Sequence, residues 1–344
     1  MSPRVRATLA IAGAGALLVG AVLLAVGLGS LSVPPKITLA AIGKGILGRA
    51  AQLGSLERIV WEVRLPRVVV GALVGASLGA SGAATQGLFR NPLADPYLLG
   101  VASGAALGAT LSGLLLGHGA SPEMGGLGAG VLGPAFAFGG GLGAVFLTLA
   151  VARAGPRATN DSLVLAGVVV SGILTAMTTY LVLRDGDRLR AVVSWTLGNL
   201  SLAGWPQARG LLPYALLGGA WLFAQGRALD ALQLGDDTAH TLGVRVGRTR
   251  LAVIAGASLA TGAAIAHVGS VGFVGLIAPH VMRRLGAASH RPLIAASALG
   301  GAALLVLADL GARTLARPAE LPVGVIMTLT GGPFFLWLLR RGHG

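Results

Sequence analysis

Residues 251–282, LAVIAGASLATGAAIAHVGSVGFVGLIAPHVM, form a run of thirty-two residues without aspartate, glutamate, lysine or arginine. One helix of that length would reach about 48 Å, well past the ~30 Å hydrocarbon core of a bilayer. Gly269-Ser-Val-Gly272 interrupts its middle, and the run is read as two short spans meeting at that interruption. Eight further charge-free runs, 7–35, 68–89, 96–122, 124–152, 163–183, 210–226, 292–308 and 321–339, bring the total to ten. They occupy the chain from end to end, so residues 1–344 form a single transmembrane domain with no room for a sizeable soluble one.

Composition agrees: 54% of residues are hydrophobic and 11% charged, against about 25% charged in soluble domains. The fold class is an all-α membrane protein. An even span count puts Arg4 and Arg6 on the same side as Arg340 and Arg341, and the positive-inside rule makes that side cytoplasmic. Under this topology the inner connections hold 14 arginines and the outer ones 12 basic residues, an unusually positive outer face. The first apolar run is too long for a signal-peptide core and is read as a span. Cysteine is absent, which removes disulfides and thiolate chemistry. The formal charge of +14 is assigned to loops and docking surfaces, with no nucleic-acid partner.

The 56 glycines lie mainly inside the spans, where small residues let helices approach closely. Gly75-Ala-Ser-Leu78 followed by Gly82-Ala-Ala84 has a counterpart in Gly256-Ala-Ser-Leu259 followed by Gly262-Ala-Ala264. The topology runs these two segments in opposite directions, as an inverted repeat around a central pathway would, although helices rich in alanine and glycine also give such matches by chance.

Catalytic chemistry is scarce. A P-loop needs Gly-Lys-Ser/Thr, and Lys36 and Lys44, the only lysines, are not in that setting. The histidines share no metal-ligand spacing, and no cofactor is expected on this chain. Asp95, Asp161 and Asp309 fall at span ends, whereas ion-driven carriers keep acids deep in their spans. A stand-alone channel or secondary carrier is therefore the weaker alternative, and a membrane-embedded enzyme lacks a constellation of its own. His267 is an ionisable residue inside a span, which marks it as a candidate for the pathway.

Two polar segments stand out. Residues 227–250 read as two short amphipathic helices joined at Gly235, with Asp236 and Asp237 placed to cap the second. They offer a partner surface, although a plain connection would look similar. Asn91-Pro-Leu-Ala-Asp-Pro96 cannot continue a helix cleanly, so the chain turns there.

Several segments together resemble the FecCD-type permeases of type II ABC importers, which carry iron–siderophore complexes, haem and vitamin B12 inward. They are Arg64-Leu-Pro-Arg67, Gln86 with Asn91–Pro96 and Gly100, Leu165–Val168, Trp195–Gly198, Leu232–Gly235, Leu242–Val244, Gly272–His280, Ala308-Asp309 with Arg313, Glu320–Gly324 and Pro333–Leu338. The resemblance implies a ten-helix subunit in the cell's inner membrane, a second permease subunit, two ATPase chains that use ATP and magnesium, and an external binding protein. It implies an inner gate and pathway at Gln86, Asn91, Leu93, Thr159 and Asn160. Coupling to the ATPase falls on Asp230, Leu234, Gly235, Asp236, Ala239, Leu242 and Gly243. Arg64, Arg67 and Arg313 are expected to meet glutamates of the binding protein, consistent with the basic outer face. His267 has no family role. An iron–siderophore complex is the first choice of cargo, before vitamin B12 and haem.

Overall fold

The computed structural model describes residues 2–29, 33–116, 129–154, 160–184, 194–316 and 319–341. Helix α1 (Pro3–Gly27) begins at Ser2, whose Oγ accepts from the Val5 N–H at 3.4 Å, and a short α2 (Pro35–Ile46) follows. Next comes α3, Ser55–Phe89, which starts well before the apolar run at 68. It reaches back through a π-helical stretch, Ile59–Arg64. Proline 66 has no N–H to give the preceding turn, and the Leu65 N–H bonds back five residues to the Val60 carbonyl. A widened turn of this kind lets the helix pass the proline without breaking.

Beyond a 3₁₀ turn at Pro96–Leu99 lie α4 (Val101–Leu116), α5 (Ala129–Arg153) and α6 (Asn160–Arg184). They are followed by α7 (Trp205–Leu232), α8 (Asp236–Thr241) and α9 (Val246–Val268). The chain closes with α10 (Val274–Arg284), α11 (His290–Thr314) and α12 (Val323–Arg341). Leaving aside α2 and α8, these occupy the ten expected span positions, and no strand occurs among the described residues. Six helices are long and apolar enough to cross a membrane by themselves, with α4 and α12 shorter. The run 251–282 divides into two helices where expected, α9 stopping at Val268 and α10 starting at Val274. With 11 residues, α10 is about 16 Å long, half a membrane.

Close backbone approach builds the centre. A Cβ on Gly75 would fall on the Gly301 carbonyl of α11, and one on Gly301 would fall on the Gly75 carbonyl. Ser81 Oγ of α3 donates to the Ala257 carbonyl of α9 at 3.4 Å. The repeat-bearing helices α3 and α9 are antiparallel, since the end of α3 (Arg90) and the start of α9 (Arg250) both reach Asp236. Each is followed by a break and then a shorter helix, α4 or α10. Burial is uneven: 78% of the apolar window of α3 is buried but only 22% of that of α6, leaving Leu165, Val168, Ile173 and Met177 exposed.

Candidate functional site

The two breaks meet inside the bundle. After α3, Arg90 takes a left-handed backbone (φ 51°), and the Leu93 N–H donates to Asn91 Oδ1 at 2.9 Å. Asp95 Oδ1 accepts from the Tyr97 N–H at 2.8 Å and caps the 3₁₀ turn. Gly100, at φ 81°, hands the chain to α4. Irregular backbone at membrane depth persists only if protein satisfies its polar groups, and here it does. Thr148 Oγ1 of α5 donates to the Leu99 carbonyl at 3.2 Å. Gly167 of α6 leaves room for the Leu98 carbonyl, which any Cβ there would strike. The Tyr97 hydroxyl donates to the Val271 carbonyl at 2.9 Å and accepts from the Val271 N–H at 3.1 Å. One phenol thus closes both backbone groups of a residue in the α9–α10 break.

Beside this junction is a cavity of about 520 Å³ between α4, α6 and residues 195–196. Tyr97 and Ser270, from the two breaks, line it together with Ser103 of α4 and Ser171, Thr175 and Thr179 of α6. Eight of its thirteen lining residues carry a hydroxyl and none carries a charge. Such walls offer neutral, weak hydrogen bonds to a passing molecule and no ion to hold it. Sequence reasoning missed this stripe, although its signal was available: hydroxyls at 171, 175, 178 and 179 share one face of a helix.

The expected pathway residues divide. Asn91 is exposed and Leu93 half-buried at the turn. Asn160 opens α6, while Thr159 lies outside the described residues. Gln86 does not line a passage: it is 2% exposed, its Nε2 donates to the Gly275 carbonyl at 3.3 Å, and its Oε1 accepts from Arg283. It bridges α3 and α10 within the subunit. His267 faces α7. Its Nδ1 is 2.8 Å from the Ala263 carbonyl, and a Cβ on Gly210 would lie 3.0 Å from its Nε2. The imidazole lies against Gly210 of α7 and is half-buried.

The chain reverses at Gly235 (φ 103°) and Gly243 (φ 83°), but of the two short helices expected in 227–250 only α8 forms, since residues 227–232 are the end of the long α7. Leu234 and Leu242 are 64% and 61% exposed and present an apolar surface. Ala239 is fully buried, so it anchors α8 and cannot touch a partner. Asp230 Oδ1 accepts from the His290 N–H at 2.8 Å and sits 2.6 Å from His290 Nδ1, tying α7 to α11. The expected aspartate cap is not formed. Gly235 is the cap residue, and Asp236 instead holds Arg90 and Arg250, each at 2.7 Å.

At the opposite end, Arg64, Arg67 and Arg313 are 5%, 7% and 6% exposed, which corrects the expectation of rim charges. Arg64 Nη1 donates to the Val26 and Gly27 carbonyls at 3.1 and 3.0 Å. Arg67 and Arg313 share Asp309, at 2.9 and 3.1 Å, and Arg67 also holds Glu320 at 2.8 Å. Guanidinium groups this deep need carboxylates or carbonyls beside them, and the network supplies both. Glu320, with 42% of its side chain exposed, is its outermost member.

The model of the FecCD transport family matches residues 17–341. The chain belongs to that family. An ABC transporter permease of Bacillus subtilis, YvrB, is 40% identical over 327 residues, covering 94% of this chain and 90% of that protein. The cobalamin import permease BtuC of Halobacterium salinarum is 40% identical over 282 residues, 82% of this chain and 73% of the relative. The hemin transport permease HmuU of Yersinia pestis is 38% identical over 291 residues, 82% and 83% of the two chains. Among solved structures, an inward-facing metal-chelate type ABC transporter superposes with a TM-score of 0.80 at 30% identity, covering 96% of this chain and 98% of the other. This FecCD protein is a permease subunit of an ABC importer and not itself an enzyme; ATP hydrolysis belongs to a separate chain.

Proposed function

We propose that two copies of this permease form the pathway of an inner-membrane importer for a metal chelate, with both termini and α8 on the cytoplasmic side. The observation that carries the reading is the uncharged, hydroxyl-lined cavity set against the junction of the two broken helices. Discontinuous helices at corresponding places in two repeats mark where a transporter handles its cargo. A wall without charge suits a bulky chelate that must leave as easily as it enters. The cargo is a ligand-wrapped metal: relatives bear the names of cobalamin and hemin systems, and an iron–siderophore complex is of the same chemical class.

The exposed apolar face of α6 supports pairing of two permeases. Leu234 and Leu242 beside α8 suit docking on an ATPase, and Asn91, Leu93, Thr159 and Asn160 are assigned to the inner gate. An external binding protein would dock at the Arg64, Arg67 and Arg313 end. Because those arginines are already paired, an incoming carboxylate would take the place of Glu320 on Arg67 and leave Asp309 where it is. The test is uptake of labelled cobalamin, hemin and a ferric siderophore into proteoliposomes holding the permease, its ATPase and its binding protein. ATP-dependent uptake of one chelate, abolished by Thr175→Trp in the cavity with the ATPase still bound, is expected. Uptake unchanged by that substitution would refute the cavity as pathway.

A further inference from the structure

The end of α3 carries a strained residue that the permease reading leaves unexplained. Among the described residues Arg90 and Phe273 are the non-glycine residues with positive φ, a backbone that side chains with a Cβ enter only when the surroundings impose it. Glycine would suit position 90 better, and this chain uses glycine freely. The arginine side chain accounts for the choice. Its Nη2 donates to Asp236 Oδ1 at 2.7 Å, while Asp236 Oδ2 accepts from Arg250 Nη2 at 2.7 Å. Asp236 is the first residue of α8. A second strut runs parallel: Gln233 Nε2 donates to the Gly87 carbonyl at 2.7 Å, one of the carbonyls a helix end leaves open. Two side chains from the α7–α8 hinge therefore grip the last turn of α3 and the residue preceding Asn91.

We infer that the Arg90–Asp236 pair, backed by the Gln233 strut, is the joint that converts a displacement of α8 into a displacement of the turn at 91–95. The inference rests on the reading of α8 as the ATPase-docking element and of Asn91 and Leu93 as the gate. Arg90 is a positioning residue: it touches no cargo and acts through the backbone of the turn that follows it. Side chains of Arg90 and Asp236 are 37% and 39% exposed, so the pair can part and reform without stranding a charge in an apolar interior. Arg250 holds Asp236 to α9 while Arg90 is away, which keeps α8 seated as the turn moves.

The chain has no cysteine, so Leu93→Cys gives this subunit a single thiol in the turn. The complex with its ATPase is purified, and the rate of maleimide alkylation at position 93 is measured with and without ATP. ATP is expected to change that rate. Arg90→Gly, which suits the backbone at φ 51°, should cut the ATP-dependent change about fivefold or more, the lower end of coupling between linked sites. The ATPase should still copurify and the thermal midpoint should hold. Asp236→Asn should give the same loss, and Arg90→Lys, which keeps the charge without the fork, should restore part of the response. A full ATP response in both Arg90→Gly and Asp236→Asn overturns the joint. No ATP response in Leu93→Cys alone overturns the gate reading and the joint with it, and an ATPase that fails to copurify with the unaltered permease overturns the docking reading instead.

Discussion

Tyr97→Phe removes one oxygen and keeps the ring, so it isolates what the phenol does at the junction of the two breaks. That oxygen accepts from the Val271 N–H and donates to the Val271 carbonyl, and Val271 is 1% exposed. Without it two buried backbone groups lose their partner. Each orphaned group costs about 1–3 kcal/mol, so the substitution is worth roughly 2–6 kcal/mol before the break relaxes. No cavity cost is added, because the ring remains. Thermal unfolding of the purified permease in detergent would read the loss, with Tyr180→Phe as the control at a residue 60% exposed, where about 0.5 kcal/mol or less is expected. A Tyr97→Phe protein as stable as the control would refute the claim that this hydroxyl closes the α9–α10 break.

Asp309→Ala removes the buried carboxylate that Arg67 and Arg313 share and should destabilise by about 3–5 kcal/mol, whereas Glu320→Ala, at the exposed edge, should cost about 1 kcal/mol or less; equal midpoints for the two would contradict the ranking. Gly235→Trp places a side chain at φ 103° and should abolish ATP-driven uptake while the permease still folds, so unchanged uptake would remove Gly235 from the coupling reversal. Leu93→Gly with Asn160→Gly should raise passive leak of a small solute in the absence of ATP, and a leak at the native level would count against the gate. His267→Leu should leave uptake within about twofold of native, because the ring lies against Gly210 of α7; a severe loss would place His267 in the pathway.

The spans were legible because in lipid the apolar run is itself the structural unit, and the break at Gly269–Gly272 was legible because one run was too long. The turn at Asn91–Pro96 and the reversal at Gly235 could be read from prolines and glycine. What stayed hidden depends on partners far away in the chain. Arg67 looks like an outer-face charge until Asp309, 242 residues on, is placed against it. Asp236 looks like a helix cap until Arg90 claims one of its oxygens. His267 reads as a lone ionisable group until Gly210 is placed against its ring. Periodicity and charge patterns locate a residue on its own helix, but they carry no information about which neighbour it faces.

The contact of α3 with α11 at Gly75 and Gly301 has a mechanical consequence. Where side chains interdigitate, one helix can slip past another by exchanging rotamers; where a carbonyl rests on a bare Cα, nothing is left to exchange. The pair then behaves as a beam. Under the proposed docking at α8, a displacement delivered there is taken up at the turn after α3 and at the half-length α10, and not within the beam. Rigidity here is a property of missing atoms, and adding a single methyl group at position 75 or 301 should splay the beam before it weakens any hydrogen bond.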